Sequence, residues 1–571
     1  MPLLTAPKYT AEQVPDHPHG APEPVKIIHI GAGASGLLFA HKARKFLKNY
    51  ELICYEKNSV IGGTWYENRY PGCACDVPAH NYTYPFEPNT EWSGFYSYAS
   101  EIQDYFVRFA KKYDVESYVV FNTEVKQVTW SEEQGKWLVN LQKADGTLFT
   151  DSCNVLVNGA GVVNRWKWPD IDGLHDFKGT LSHSADWDPN IDWKGKRVAL
   201  IGTGSSSIQI LPEVQPGAEH VTVFIRNQYY VAPTGITLSN KEADPEAMEP
   251  GGPSAHRYTE KEKEKFRDDP EYLLQYRRKI ERHMAAGFRL FFRGSEQNLQ
   301  AKAGMKMYME HLLGDNEELK RRIIPQWSPG CRRITPGEGY LQALLQKNVS
   351  PVYSPIVKVI PEGIVTADGA THNVDILICA TGFEVQFLPW FNVVGLGGRV
   401  MQDYEPNVYG SISVPHFPNY FIVNGPRGNW GQGCSLPTHE VQVEYIIQMV
   451  KKIQEDGIKF VQPREDLTFQ LNEYMDAWHR KHSVWAEDCK SWYKDNKRDG
   501  RVYIWSGSMQ SLMKFLKRPR LEHYDVVYKD PGNVFQFMGN GWTVNEWENM
   551  ETGNIPVDYI RNDEDAPYNI E

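Results

Sequence analysis

Two glycine-rich loops, each set between a β-like run and a helical one, predict an α/β fold with two Rossmann-like dinucleotide-binding domains and a helical insertion. The first loop is Gly31-Ala32-Gly33-Ala34-Ser35-Gly36, after Val25-Lys26-Ile27-Ile28-His29-Ile30. The second is Gly202-Thr203-Gly204-Ser205-Ser206-Ser207, after Lys196-Arg197-Val198-Ala199-Leu200-Ile201. A chain of 571 residues is too long for one core, so two such units fit its length. Two further apolar runs, Val155 to Gly161 and Val374 to Phe383, close on small residues and mark where the chain crosses between units.

In the first unit Gly31 permits a tight turn, Gly33 lets backbone approach a pyrophosphate, and Gly36 lets helix and strand pack closely. Ser35 belongs to the same loop, and the anion would sit at the helix N-terminus, where unpaired N–H groups point outward. The second strand, Glu51-Leu52-Ile53-Cys54-Tyr55-Glu56, ends in an acid 20 positions after Gly36, suited to accept ribose hydroxyls.

In the second unit Ser207 replaces the third glycine, which predicts slightly looser packing of helix on strand. The strand Val221-Thr222-Val223-Phe224-Ile225-Arg226 ends in a base where the first unit has an acid. Arg226 can pair with a 2′-phosphate that an acid would repel, so NADPH is expected in preference to NADH. Gly202, Thr203, Gly204, Ser205, Ser206, Ser207, Gln209 and Asn227 are expected to complete the NADPH-binding site.

Around residues 240 to 325 the composition changes, and Glu260-Lys261-Glu262-Lys263-Glu264-Lys265 alternate in sign, as on a solvated helix face. The resulting division is an extension over 1–24, the first domain over 25–162 and 384–571, the second over 163–227 and 332–383, and the helical insertion over 228–331.

A net charge of −11 argues against nucleic acid or an anionic membrane as partner. The proline-rich start lacks a signal-peptide core, no apolar run reaches membrane-spanning length, and the end is not a peroxisomal address. A cytoplasmic monomer or weak oligomer is expected. The eight cysteines are scattered, and Cys73 and Cys75 form C-x-C, so neither a metal site nor a dithiol centre is expected, and buried free thiols are.

The stretch Phe177-Lys178-Gly179-Thr180-Leu181-Ser182-His183-Ser184-Ala185-Asp186-Trp187-Asp188 has the spacing F-x-G-x-x-x-H-x-x-x-W-D, just upstream of the second loop. It resembles the fingerprint of the Baeyer–Villiger monooxygenases, flavoenzymes that use NADPH and O2 to insert oxygen beside a ketone carbonyl. The likeness runs from about residue 24 to 525 and is closest to fungal members. Ile61-Gly62-Gly63-Thr64-Trp65 and Tyr70-Pro71-Gly72-Cys73-Ala74-Cys75-Asp76 resemble that family's second flavin segment. The resemblance implies FAD contacts from Gly63, Thr64, Trp65, Asp76, Tyr82 and the backbone of Val125.

Cys331-Arg332-Arg333-Ile334-Thr335-Pro336-Gly337-Glu338-Gly339-Tyr340 resembles the segment that carries paired bases. By that resemblance Arg332 meets the NADPH phosphate, while Arg333 reaches the flavin and is oriented by Asp76. A fixed guanidinium would stabilise a C4a-peroxyflavin anion and the following Criegee oxyanion without giving up a proton; Arg427 is the next candidate. Trp492 corresponds to a tryptophan that folds over NADPH, although the N-x-P-G-K run of many bacterial members does not follow it. The loop from Arg427 to Pro437 is expected to line a ketone pocket through Trp430, Ser435 and Leu436. The rival reading is a flavin-containing N- or S-monooxygenase, which shares both loops but not Trp187-Asp188 or the Arg332-Arg333 segment.

Overall fold

The structure, a computed structural model, describes residues 9–232, 256–337, 339–385, 387–429, 431 and 433–566. Trp430 and the stretch 233–255 of the expected insertion lie outside the described residues.

Runs of β-branched and aliphatic residues form two five-stranded parallel sheets, covered on both faces as such sheets must be. The first unit opens with β1 (Val25–Ile30), α1 (Ala34–Phe46) and β2 (Tyr50–Tyr55). After α2 (Thr64–Glu67) and α3 (Ala99–Lys112) come β3 (Val119–Val120), the antiparallel meander β4 (Thr123–Ser131), β5 (Lys136–Lys143) and β6 (Leu148–Cys153), and β7 (Val155–Asn158).

The chain then builds the second sheet from β8 (Thr180–His183), β9 (Arg197–Ile201), α4 (Ser205–Val214) and β10 (His220–Phe224). A short strand β11 (Val231–Ala232) precedes the insertion helices α5 (Glu260–Asp268), α6 (Pro270–Ala286), α7 (Glu296–Leu313) and α8 (Glu317–Ile323). The sheet is completed after β12 (Thr335–Pro336) and α9 (Tyr340–Leu344) by β13 (Val349–Val352), the small antiparallel strands β14 (Ile356–Ile360), β15 (Gly363–Thr366) and β16 (Thr371–Asn373), and β17 (Ile376–Cys379). Its order is β13-β10-β9-β17-β8.

Through β18 (Asn392–Val394) the chain returns to the first sheet with β19 (Tyr420–Ile422), giving the order β19-β7-β1-β2-β3. Helix α10 (Leu436–Glu455) then lies on α1, where buried Lys42 holds Glu440 and Glu444 of α10. The first sheet is therefore assembled from the two ends of the chain, with the second sheet made from its middle.

The fingerprint stretch is the seam of the second sheet. A Cβ on Gly179 would stand 2.3 Å from the Asp375 carbonyl oxygen, so only glycine lets β8 lie against the β17 approach. His183 is fully buried; the Ala185 N–H donates to its Nδ1 (3.1 Å), leaving Nε2–H to donate to Thr381 Oγ1 (3.1 Å). Its ring stacks on Trp166, and Trp187 enters the core beneath α4.

Two expectations change. Ser207 does not loosen its helix: its buried hydroxyl donates back to the Gly202 carbonyl at 2.8 Å, closing the turn that a glycine would leave bare. The alternating charges of α5 are not all on a solvated face either. Glu262 is fully buried, accepts from the Thr259 N–H at 2.7 Å and lies 2.9 Å from His256 Nε2, while Phe266 one turn on enters the core. Among the described residues no helix is long and apolar enough to cross a membrane.

Burial holds His29, His183 and His479 down at about 4 and His80 at about 3. In the unfolded chain these rings take up protons near pH 6.5. Their contribution is thus complete above about pH 6.5 and is lost as pH falls toward 4, where only the unfolded state is protonated. Urea midpoints measured from about pH 7.5 down to 5 should fall progressively; a midpoint that rises over this range would contradict the assignment.

Candidate active site

Both loops present helix N-termini without side-chain caps. Gly33 precedes α1 and Gly204 precedes α4, and neither helix has its first N–H groups taken by a cap. At the first loop Gly31 has φ +93°, and a Cβ on Gly36 would lie 2.2 Å from the Gly31 carbonyl oxygen, so strand and helix can meet only with glycine there. Gly33 and Gly63 approach Cα against backbone, which brings the second flavin-type segment onto the loop. Ser35 Oγ donates to the Gly159 carbonyl at 3.2 Å.

Glu56 lies just past β2 and is buried. Its Oε2 accepts the Ala32 N–H (2.7 Å) and its Oε1 the Asn58 N–H (2.8 Å), so the acid braces the glycine loop and keeps one lone pair per oxygen for a ribose. Burial raises its pKa and those two N–H bonds lower it. Thr64 opens α2 and is exposed; Trp65 Nε1 donates to the Tyr82 hydroxyl at 3.0 Å, with the rings edge to face. Val125 is buried in β4 at a register slip against β5.

At the second loop a Cβ on Gly204 would meet nothing within 4 Å, leaving an open cradle over the α4 N-terminus. Thr203 Oγ1 donates to the Asn227 carbonyl (3.0 Å), Ser205 Oγ lies 2.7 Å from Thr335 Oγ1, and Ser206 stands beside Tyr70. Arg226 is exposed just past β10. Gln209 does something the sequence did not suggest. Its amide accepts from the Tyr70 hydroxyl (2.8 Å) and donates to the Ala74 carbonyl (2.9 Å), latching α4 onto the segment that carries Asp76. Gly72 permits that latch, since a Cβ there would lie 2.6 Å from the Gln209 carbonyl oxygen.

Asp76 and Arg333 meet across this junction. Arg333 Nη2 donates to Asp76 Oδ1 at 2.7 Å and Arg333 Nε donates to Asp76 Oδ2, a side-on bidentate pair. Burial works against the Arg333 charge, but Asp76 and then Tyr493 hold its pKa well above the ordinary value. The neighbouring Arg332 donates to the Gln228 carbonyl at 3.1 Å and lies over the Tyr229 ring. Arg427 is buried and pairs with Asp476. Trp492 is partly buried, and its ring lies 4.4 Å from that of Tyr493 and 6.5 Å from Phe387.

A cavity of about 380 Å3 opens beside the pair, lined by Asp76, Ala232, Ile334, Pro336 and, from α7, Ala301, Gly304 and Met305. Neither Ser435 nor Leu436 lines it. Ser435 stands just before α10 without a side-chain capping bond, and Leu436 is fully buried in the core between α10 and α1, because the helix start turns it inward. The α7 wall was missed; its only signal is a pair of small residues three apart on a polar helix. The thiol expectation is also corrected. Cys331 and Cys489 form a disulfide, and Cys54, Cys73, Cys75, Cys153, Cys379 and Cys434 are free and buried. The two partners are 158 residues apart, so no local spacing announces them.

Residues 24–236 match the flavin-binding monooxygenase-like family. An FAD-binding monooxygenase of Aspergillus terreus, tazF, is 38% identical over 92% of this chain and 93% of its own. A Baeyer–Villiger monooxygenase of Pseudomonas aeruginosa is 31% identical over 84% of this chain and 88% of its own. The fold matches a cyclohexanone monooxygenase from Rhodococcus sp. Phi1 bound to NADP+, with TM-score 0.74 and 23% identity over 89% of this chain and 100% of that one. It also matches an oxidised steroid monooxygenase bound to NADP, with TM-score 0.71 and 25% identity over 88% and 100%. With more than nine-tenths of both chains aligned to the Aspergillus protein, the chain belongs to the flavin-binding monooxygenases, in their FAD-dependent, Baeyer–Villiger-type branch.

Proposed function

We propose that this enzyme uses FAD, NADPH and O2 to convert a ketone into an ester or lactone. The observation that carries the reading is the Arg333 guanidinium held side-on by Asp76, whose carboxylate lines the cavity under α7. The names of the Pseudomonas relative and of the cyclohexanone and steroid monooxygenases support the same chemistry.

The residues fit both dinucleotides. The uncapped α1 N-terminus, the Gly33–Gly63 contact and the spare lone pairs of Glu56 suit the pyrophosphate and ribose of FAD. Thr64, Trp65, Tyr82 and Val125 would complete that site, with Gly31, Ser35 and Gly36 shaping the loop. The open cradle over α4, formed by Gly202, Thr203, Gly204, Ser205, Ser206 and Ser207, suits NADPH, whose phosphates Arg226, Asn227 and Arg332 would meet. Gln209 would serve from behind by holding α4, and Trp492 would cover the nicotinamide end. Bound FAD, once reduced by NADPH, supplies the activation of O2.

What this chain adds is charge and shape. Arg333 stays cationic at any working pH and cannot quench an oxyanion by proton donation. It would stabilise negative charge developing on the ketone oxygen. Asp76 fixes the plane of the guanidinium and moderates its charge. Ala301 and Gly304 leave room above the pair for a substrate with bulk next to its carbonyl.

Product masses from linear, cyclic, aryl and steroid ketones, set beside a sulfide, test the reaction; sulfoxide without any ester would favour the N- or S-oxygenase. Arg333→Ala should keep much of its anaerobic reduction by NADPH yet lose about two to three orders of magnitude in ester formation. Ester at a near-normal rate in that variant would contradict the assignment. Arg226→Ala should raise KM for NADPH by about one to two orders of magnitude, as loss of a charge-assisted bond predicts, and barely change that for NADH. An unchanged preference would remove Arg226 from the phosphate site.

A further inference from the structure

A second cavity, of about 270 Å3, is walled by residues of two separate cores. Met401, Phe417 and Ile422 pack with the meander of β4, β5 and β6, whereas Phe387 packs with Tyr503 and Trp492. None of the lining residues belongs to the cavity under α7 or to either dinucleotide loop. The inner wall, formed by these four and Val408, is apolar and buried. The mouth is framed by Tyr404 and by Phe469 of helix α11 (Glu465–His482), two rings that stand 50% and 45% exposed. Rings left in water at the lip of an apolar hollow suit the entry of an apolar molecule.

The polar groups of the lining decide what kind of molecule that is. Glu465 Oε1 lies 3.0 Å from His416 Nε2 and 4.0 Å from Arg399 Nη1, and Glu405 Oε2 lies 3.4 Å from Arg501 Nη1. These carboxylates repel an anionic head, and an ammonium would have to displace cations that already answer them. Asn407 spends its amide oxygen on Arg501 Nη1 (2.7 Å), so what it offers a ligand is its NH2, and the loosely paired Arg399 is a donor as well. A ketone oxygen accepts and does not donate, so a neutral apolar ketone matches both the wall and these donors. Water is a poor occupant, since a held water needs about two to four polar partners and the inner wall offers carbon.

The backbone is strained at this cavity. Phe387 and His416 both line it, with φ of +57° and +70°. Side chains of this size rarely adopt that conformation, and such positions gather where a ligand is held. Phe387 stacks on Tyr503, with ring centroids 4.4 Å apart, and lies 6.5 Å from Trp492. Tyr503 accepts the Arg427 N–H at its carbonyl (3.2 Å) and donates its own N–H to the Tyr493 carbonyl (2.8 Å). A ligand against Phe387 therefore rests one ring away from the contact that ties the Arg427 loop to the turn of Trp492.

We propose that this cavity is a second binding site, taking a neutral apolar ketone of the kind the enzyme oxidises. The class of ketone rests on the reading of the enzyme as a ketone oxygenase; the site itself rests on the wall, the mouth and the donors.

The test uses the FAD-loaded enzyme without NADPH, so that nothing turns over, in equilibrium dialysis against 2-decanone, sodium decanoate and decylamine. The parent should bind 2-decanone, and Val414→Phe, which fills the cavity from its lining, should lower the number bound at saturation by one per chain. Phe469→Asp, which charges the exposed lip, should weaken that equivalent by about tenfold or more, as loss of one apolar side-chain contact predicts. Decanoate and decylamine should bind there at least about tenfold more weakly than the ketone, because a charge gains little from an apolar wall. Full FAD content reports that each variant has folded; should Val414→Phe fail to fold, Phe469→Asp alone decides. No ketone bound by the parent, parent-like binding in the folded variants, or decanoate bound as tightly as the ketone would overturn the site. If the variants lose the ketone as expected but the parent makes no ester from any ketone, the reading of the reaction falls and the binding site stands. If ester forms and the variants bind as the parent does, that reading stands and this proposal does not.

Discussion

The ion pair between Asp76 and Arg333 is the constraint around which the rest of the molecule is arranged. One charge comes from the loop after α2 and the other from the segment that follows α8, more than 250 residues later. Both groups are largely withdrawn from water, which is expensive for each alone and tolerable only for the pair with good geometry. The two sheets must therefore be docked closely enough for the bidentate contact to form. Gln209, Tyr70 and the bare backbone of Gly72 supply that docking. The insertion helices then close the open side, α7 passing over the pair with its smallest residues facing inward.

A related economy appears in the fingerprint stretch. Its glycine, histidine and tryptophan do not face the cavity. Gly179 lets β8 join the second sheet, His183 ties that strand to Thr381 where the chain leaves β17, and Trp187 seals the core under α4. These residues report the crossing between the two sheets, and through it the relative placement of the two loops. Their diagnostic spacing thus reflects architecture, which the chemistry needs without touching the residues themselves.

Legibility followed the range of the interaction. Strands, loops and the first turns of α1 and α4 were readable because each depends on a few neighbouring residues, and the contrast of Glu56 with Arg226 lies at equivalent strand ends. Resemblance joined Asp76 to Arg333, which no local pattern could do. Longer-range features stayed hidden. The Cys331–Cys489 bond spans 158 residues, and Glu262 is buried because His256 and the Thr259 cap receive it, although its neighbours advertise a solvated helix. Leu436 faces the core because α10 already begins at that residue, inside the expected pocket loop. Ser207 stands where glycine is usual because a hydroxyl can close the turn onto Gly202.

The most direct test of the account is a double-mutant cycle on the pair, with Asp76→Asn, Arg333→Lys and their combination assayed for ester formed per NADPH consumed. If Asp76 acts by orienting Arg333, the combined variant will be no worse than the poorer single one, with a coupling of about 1 kcal/mol or more. Losses that add across the cycle would contradict a joint role and leave the two residues acting separately.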